Sequence, residues 1–155
     1  ATNNGGAIDN NGKLRISGSI FNNNTANSYG GAIMARKNTI VSHSSFANNH
    51  ASSGNDVYSD EENISLNNNW WGSNNPNFLE SLNYEIDDDF KWIVMSFTNT
   101  TPYKENNNLG LKLSFEKTIN SNDEEGQLDS PNLLPKLKAS FSASLMPRSS
   151  HSEKY

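Results

Sequence analysis

Four carboxylates and one guanidinium have the types and spacing to do chemistry together, and they are Arg36, Asp56, Asp60, Glu61 and Glu62. Clustered carboxylates can bind calcium or act as general acid and general base. An arginine beside them could serve as the base of an elimination reaction on an acidic polysaccharide. Because the carboxylates lie in one short stretch and do not recur along the chain, a solvated turn is the favoured interpretation. The sequence therefore predicts no catalytic residue.

Two other groups of side chains could bind a metal ion. The run Asp87–Asp89 offers carboxylate oxygens, which suit calcium, but adjacent side chains on a strand alternate in direction and cannot all face one ion. A solvated acidic linker is the favoured interpretation. His43, His50 and His151 are scattered, and no two of them have the spacing of zinc ligands. We expect His43 to be exposed, and we predict no metal and no cofactor.

The sequence contains internal repeats, and their fold must position the charged and histidine side chains described above. Gly5-Gly6-Ala7-Ile8 recurs as Gly30-Gly31-Ala32-Ile33, a shift of 25 residues, and FNNNTA at 21–26 recurs as FANNHA at 46–51. A further shift of 25 residues aligns Ile33 with Tyr58 and Phe46 with Trp71, which defines a third and less regular copy. Since apolar columns align as well as asparagines, chance matching in an asparagine-rich chain does not explain the pattern. The predicted interior columns are Ile8, Ile33 and Tyr58; Leu14, Thr39 and Ile64; and Phe21, Phe46 and Trp71.

The repeats have the pattern of strands. KLRIS at 13–17 alternates apolar and polar residues, as a half-buried strand does, and NISLN at 63–67 alternates in the same way. The predicted fold class is all-β, with residues 1–77 forming three coils of about 25 residues in a parallel β-helix. The corners of the coils should hold the glycine pairs, because glycine readily adopts positive φ. These are Gly5 with Gly6 and Gly30 with Gly31.

The composition indicates an ordered fold with a thin core. Of 155 residues only 33% are hydrophobic and 27 are asparagine, yet the chain has three Trp, five Tyr and seven Phe. Its net charge is only −5, whereas disordered chains combine few aromatics with high charge. Stacked asparagines, Asn23 over Asn48 and Asn24 over Asn49, should form side-chain ladders. With no cysteine, the stability must come from repetition rather than from disulfides.

Charge and hydropathy limit the partners. The acidic balance argues against nucleic acid or an anionic membrane as partner. No apolar run is long enough to span a membrane. The chain opens at Ala1 directly in repeat sequence, and we interpret it as a fragment or mature piece of a longer protein.

A Trp-Trp-Gly motif follows the third copy and predicts the end of the repeats. Trp70 and Trp71 stand where the other copies have Phe, and Gly72 precedes the turn residues SNNPN. The last coil of a stack exposes an apolar surface and needs a cap, so residues 70–78 are predicted to be that cap or its approach. The alternative is an exposed aromatic pair that stacks on carbohydrate.

The remaining residues are richer in charge and alternate as longer strands. Strands are predicted at 92–97, 109–115 and 137–143, separated by polar loops. An immunoglobulin-like sandwich needs about seven strands, so residues 78–145 are predicted to be a partial immunoglobulin-like or irregular β segment. Residues 146–155 are predicted to be a disordered tail.

The GGAI quartet followed by FxNN resembles the polymorphic outer-membrane-protein repeats of bacterial surface autotransporters. Together with SGNDVY and NNNWWGSNNPNF, it is more similar still to adhesin-like surface proteins of methanogenic archaea. The resemblance covers residues 1–97 well and the rest loosely. It implies a right-handed β-helix, a location outside the cell, an adhesive or structural role and no catalytic residues. Glycosylation acceptors would then be Asn23, Asn63 and Asn99, each in an Asn-x-Ser/Thr triplet.

The function predicted is a non-enzymatic, adhesin-like scaffold of the cell surface. Its expected partners are surface glycans or surface proteins of other cells. One alternative is a polysaccharide lyase or hydrolase, because right-handed β-helices of the pectin lyase-like fold include such enzymes. The other alternative is a purely structural component of the envelope.

Overall fold

The computed structural model describes residues 1–60, 63–100 and 110–137, and short β-strands dominate it. Helical structure in these residues is limited to one α-helical turn, α1 (Phe78–Ser81), and a 3₁₀ turn at Pro131–Leu133. The all-β class is therefore confirmed. The strands are β1 (Ile8–Asn10), β2 (Leu14–Ser17), β3 (Ile20–Asn22), β4 (Ile33–Ala35), β5 (Thr39–Ser42), β6 (Ser45–Ala47), β7 (Val57–Ser59), β8 (Ile64–Ser65), β9 (Lys91–Asn99), β10 (Leu111–Asn120) and β11 (Glu125–Gln127).

The first eight strands form parallel sheets in the orders β1-β4-β7, β2-β5-β8 and β3-β6. Each strand pairs with the strand one repeat later. Ile8 lies opposite Ile33, and Leu14 lies opposite Thr39, which lies opposite Ile64. This register follows the 25-residue shift in the sequence, because pairing at that shift places apolar side chains on their own counterparts.

The third repeat begins one residue earlier than the sequence analysis predicted. Gly54 takes the place of the first glycine of the pair, so that Val57 pairs with Ile33 and Tyr58 pairs with Met34. The placement of Tyr58 in the interior column was wrong. Val57 is fully buried there, and strand alternation turns Tyr58 to the opposite face.

The glycine pair of the second repeat shows why the motif recurs. Gly30 has φ +62°, and a Cβ there would lie 2.1 Å from the carbonyl oxygen of Ile33. Gly31 lies under the next repeat, and a Cβ there would lie 2.1 Å from the carbonyl oxygen of Asn55. A left-handed corner and a close approach between layers therefore both require glycine.

An aromatic column runs through the core. The rings of Phe21 and Phe46 stack with centroids 4.9 Å apart, and those of Phe46 and Trp71 stack at 4.6 Å. All three rings are buried. The same cluster contains the buried side chains of Ile33, Val41, Val57 and Leu66.

The layered packing continues past residue 77, where the sequence predicted the repeats to end. Val57 forms a parallel bridge with Leu82, and Asn69 forms one with Trp92. Leu82, Phe90 and Trp92 belong to the same hydrophobic cluster as the repeats. Residues 78–93 therefore cover the third repeat, and residues 70–78 lead into this cover.

An antiparallel sheet in the order β11-β10-β9 follows directly. Ile93 of β9 and Leu128, the residue after β11, form a second cluster with Trp70, and Phe115 of β10 packs against it. The strands predicted at 92–97 and 109–115 correspond to β9 and β10, although Leu109 lies outside the described residues. The strand predicted at 137–143, apart from its first residue, and the tail predicted at 146–155 also lie outside them.

Candidate functional site

Arg36 lies in an ion-pair network on the surface. Its guanidinium contacts the carboxylate of Asp9, lies 3.3 Å from the side-chain oxygen of Asn11 and lies 3.9 Å from a carboxylate oxygen of Asp60. Arg36 thus joins carboxylates of the first and third repeats. A guanidinium that already contacts two carboxylates is poorly placed to act as a base.

Asp56 is buried and makes its hydrogen bonds away from Arg36. The side-chain amide of Asn49 donates to its carboxylate at 2.7 Å, and the side chain of Ser81 also hydrogen bonds to it. Burial raises the pKa of Asp56 above its ordinary value, although these hydrogen bonds lower it in part. The geometry gives this carboxyl a structural role between the third repeat and α1.

The other predicted candidates are not brought together. Glu61, Glu62 and His151 lie outside the described residues. His43 is 8% exposed, so the expectation that it is exposed was wrong, and its Nε2 lies 2.5 Å from the carbonyl oxygen of Asp129. In the described part of the chain no three His, Asp or Glu side chains are grouped so that they could hold a metal ion.

The tryptophan pair does not offer a stacking surface. Trp70 and Trp71 are 9% and 6% exposed, because the antiparallel sheet covers Trp70 while Trp71 completes the aromatic column. Gly72 follows them with φ +75°. The alternative in which the tryptophans stack on carbohydrate therefore does not fit the structure.

A different aromatic pair lies on the outside. The rings of Tyr29 and Tyr58 are 4.5 Å apart between centroids and tilted by 41°, and Tyr29 is 43% exposed. The sequence analysis missed this pair, because it aligned Tyr58 with the interior column. The one-residue offset at Gly54 was the signal that could have revealed it.

Asparagine side chains form hydrogen bonds between successive repeats. Asn24 donates its backbone and side-chain N–H groups to the side-chain oxygen of Asn49, both at 2.9 Å. The other predicted ladder is displaced, since the side-chain amide of Asn48 donates to Asn22 rather than to Asn23. These amide side chains therefore link the first repeat to the second.

The three predicted glycosylation acceptors, Asn23, Asn63 and Asn99, are all exposed. Asn23 also has a positive φ of 57°, a conformation that asparagine tolerates better than most residues. Exposure gives each acceptor the access that a glycan-transferring enzyme needs.

A groove of about 440 Å³ lies between β8 and the segment 84–90. Its wall combines the apolar side chains of Ile64, Leu66, Ile86 and Phe90 with polar groups. Three carboxylates line it, those of Asp60, Glu85 and Asp87, and all three residues are exposed. The groove has no local sequence signal, because residues far apart in the chain form its two walls.

Tyr84 also lines this groove. Burial, together with the negative charge of Asp87, raises the pKa of its phenol to about 12. The groove therefore places carboxylates and this phenol beside apolar side chains.

No family model, curated protein or solved structure matches the chain. Within the part of the chain that the structure describes, no helix is long and apolar enough to cross a membrane.

Proposed function

We propose that the chain is part of a non-enzymatic, adhesin-like protein of the cell surface, similar to those of methanogenic archaea. In this proposal residues 1–93 form a right-handed parallel β-helix that presents its outer face to glycans or to proteins of other cells. The parallel pairing of successive repeats and their shared core support the β-helix. Of the two alternatives for the following residues, an irregular β segment is better supported than an immunoglobulin-like one. The described antiparallel sheet packs against Trp70 of the repeats rather than against a second antiparallel sheet.

The surface pair of Tyr29, which is exposed, and Tyr58, which is half-buried, is the observation that carries the adhesive role. Two tyrosine rings in contact on a polar outer face form a rigid amphipathic surface, and such surfaces lose little entropy on binding. Asn27 and Ser28 directly precede Tyr29 in the sequence. The hydroxyl of Ser52, in the next repeat, donates to the carbonyl oxygen of Asn27. Binding through one such patch would be weak, and repetition along a longer protein would strengthen it by multivalency.

Glycan and cell binding by the whole chain tests this proposal. Immobilised protein is exposed to surface glycans and to intact cells, and the retained amount is measured. We expect the double substitution Tyr29→Ser and Tyr58→Ser to reduce retention by roughly tenfold, as loss of central aromatic contacts does in other interfaces. Leu79→Ser is the matched control, because Leu79 is an exposed apolar residue outside the pair.

Three outcomes would contradict the proposal. Equal binding by the double variant would remove the tyrosine pair from the contact. Retention of no glycan and no cell by the unaltered protein would support a structural envelope component instead. Release of unsaturated products from a pectin-like polysaccharide with calcium, lost in Arg36→Ala, would establish the lyase alternative.

A further inference from the structure

Each parallel sheet has an edge at the third repeat, and residues 78–93 do not cover all of these edges in the same way. The backbone N–H groups of Asn55 and Asp56, just before β7, donate to the carbonyl oxygens of Glu80 and Ser81. Beyond β6, the N–H of Ile93 donates to the carbonyl oxygen of Asn69 at 2.8 Å. Residues 78–93 therefore supply a further layer over two of the three sheets.

The third sheet, β2-β5-β8, lacks this layer. The N–H of Leu14 donates to the carbonyl oxygen of Asn38 at 3.0 Å, and the N–H of Thr39 donates to that of Asn63 at 3.2 Å. Ile64 occupies the equivalent place in the next strand. Its N–H has no hydrogen-bond partner among the residues that the structure describes.

The open edge of β8 faces the groove. Ile64, Ser65 and Leu66 form one wall of it, and residues 84–87 with Phe90 form the other. Hydrogen bonds join the two walls at the ends of the groove, where the side chain of Asn83 pairs with the backbone of Ser59 and the N–H of Lys91 donates to the side-chain oxygen of Asn67. The volume of about 440 Å³ falls in the range of roughly 300–1,000 Å³ that binding clefts occupy, so the space between the walls can hold a short extended segment.

We propose that this groove binds a short extended peptide with alternating apolar and basic residues, which adds to β8 as a parallel strand. Strand addition gives such a peptide main-chain hydrogen bonds to the open edge. Its apolar side chains, at alternate positions, would pack over the half-buried Ile64 and against Ile86 across the groove. The basic side chains would face outward, where the carboxylates of Asp60, Glu85 and Asp87 complement their charge.

The first repeat shows which sequence suits this place. Leu14 lies two layers below Ile64 in the same column, and Lys13 and Arg15 flank it with exposed side chains. A capped peptide with the sequence of residues 12–17, Gly-Lys-Leu-Arg-Ile-Ser, is therefore the probe. The site is separate from the tyrosine pair, so either proposal can fail without the other.

Fluorescence anisotropy of the labelled peptide with the whole chain measures binding. We expect saturable binding that weakens as salt rises, because exposed charge pairs are screened. The double substitution Glu85→Gln and Asp87→Asn should weaken binding by about three- to tenfold. The matched control is Glu80→Gln with Asp123→Asn, which removes two exposed carboxylates outside the groove.

Backbone pairing has its own readout. Hydrogen exchange of the Ile64 amide should slow at least severalfold when the peptide is bound, and a peptide N-methylated at its leucine and isoleucine should not bind. Equal binding of the N-methylated peptide would overturn strand addition. So would equal binding of a polyamine that leaves the hydrogen exchange of the Ile64 amide unchanged. Equal weakening by the control substitutions would overturn the groove, and dimerisation of the chain through this edge would replace the peptide with a second copy.

Discussion

Asp56 shows how one buried carboxyl links two elements. It lies in the third repeat, and the residues at the equivalent positions of the two preceding repeats are small or apolar. Its carboxyl forms hydrogen bonds with Asn49 and Ser81. Asn49 in turn accepts hydrogen bonds from Asn24. The chain from Asn24 to Ser81 therefore connects three repeats and α1 through polar side chains within an otherwise apolar stack.

The raised pKa of Asp56 predicts a pH dependence with a definite sign. Between its ordinary pKa of 3.8 and its higher pKa in the fold, the folded chain binds a proton that the unfolded chain has lost. The free energy of unfolding contributed by this group is therefore fully present below pH 3.8 and is lost as pH rises through the folded pKa.

Asp56→Asn should remove this dependence. The amide keeps an oxygen for Asn49 and carries no charge to bury, so we expect the variant to gain stability relative to the unaltered chain as pH rises from 3.8 towards neutral. Urea unfolding at a series of pH values measures the difference. Asp123→Asn is the control at an exposed position, and a pH-independent difference for Asp56→Asn would contradict the prediction.

The turn that opens each repeat depends on backbone that only glycine tolerates well. Gly5, Gly30 and Gly54 all have φ near +60°, and they are the first residues of the three repeats. A side chain there meets the carbonyl oxygen three residues later. The corner of the repeat is thus fixed by local sterics, whereas its strands are fixed by the core.

Gly30→Ala should destabilise the fold strongly. The left-handed backbone alone costs about 1–2 kcal/mol for a residue with a Cβ, and the contact with the carbonyl oxygen of Ile33 adds to it. Gly12→Ala is the matched control, because a Cβ there meets only the side-chain oxygen of Asn10, at 3.9 Å. Thermal and urea unfolding compare the two, and similar losses in both variants would contradict the steric argument.

Much of the repeat architecture could be predicted from the sequence, since its signals are local and periodic. The pairing of Ile8 with Ile33 needs only a fixed shift between identical quartets. Tyr58 was misplaced, because the third copy lacks the second glycine and an offset of one residue exchanges the two faces of a strand. The layer at 78–93 was missed because its shift from the third repeat varies and it carries no GGAI motif.

The candidate site was less predictable than the fold. Tyr29 and Tyr58 meet only because of the register change, and the groove walls come from segments that no motif connects. The sequence analysis grouped Arg36 with Asp56, but Arg36 pairs with Asp9 and Asp60 whereas Asp56 bonds to Asn49. The sequence therefore indicated the charged residues without indicating their roles.

The repeats and residues 78–93 form one hydrophobic cluster, so stability should depend on the covering layer. A chain ending at residue 77 would leave Val57, Leu66 and Trp71 without the side chains of Leu82 and Phe90. We expect that truncation to lose cooperative unfolding and to bind a hydrophobic dye. Circular dichroism and dye fluorescence measure both effects.

A chain ending at residue 137 is the control for truncation itself. It keeps every described contact of the repeats and of the antiparallel sheet, so its unfolding should remain cooperative. If the chain ending at residue 77 unfolded at the same temperature as this control, the repeats would be stable without their covering layer.

The parallel register has a consequence for how the chain uses its length. A parallel strand lies about 4.8 Å from its neighbour, so each 25-residue repeat adds only that height along the stack. The same 25 residues, fully extended, would span about 80–90 Å. A protein built this way trades length for a compact stack, and it would become long only by repeating this unit many times.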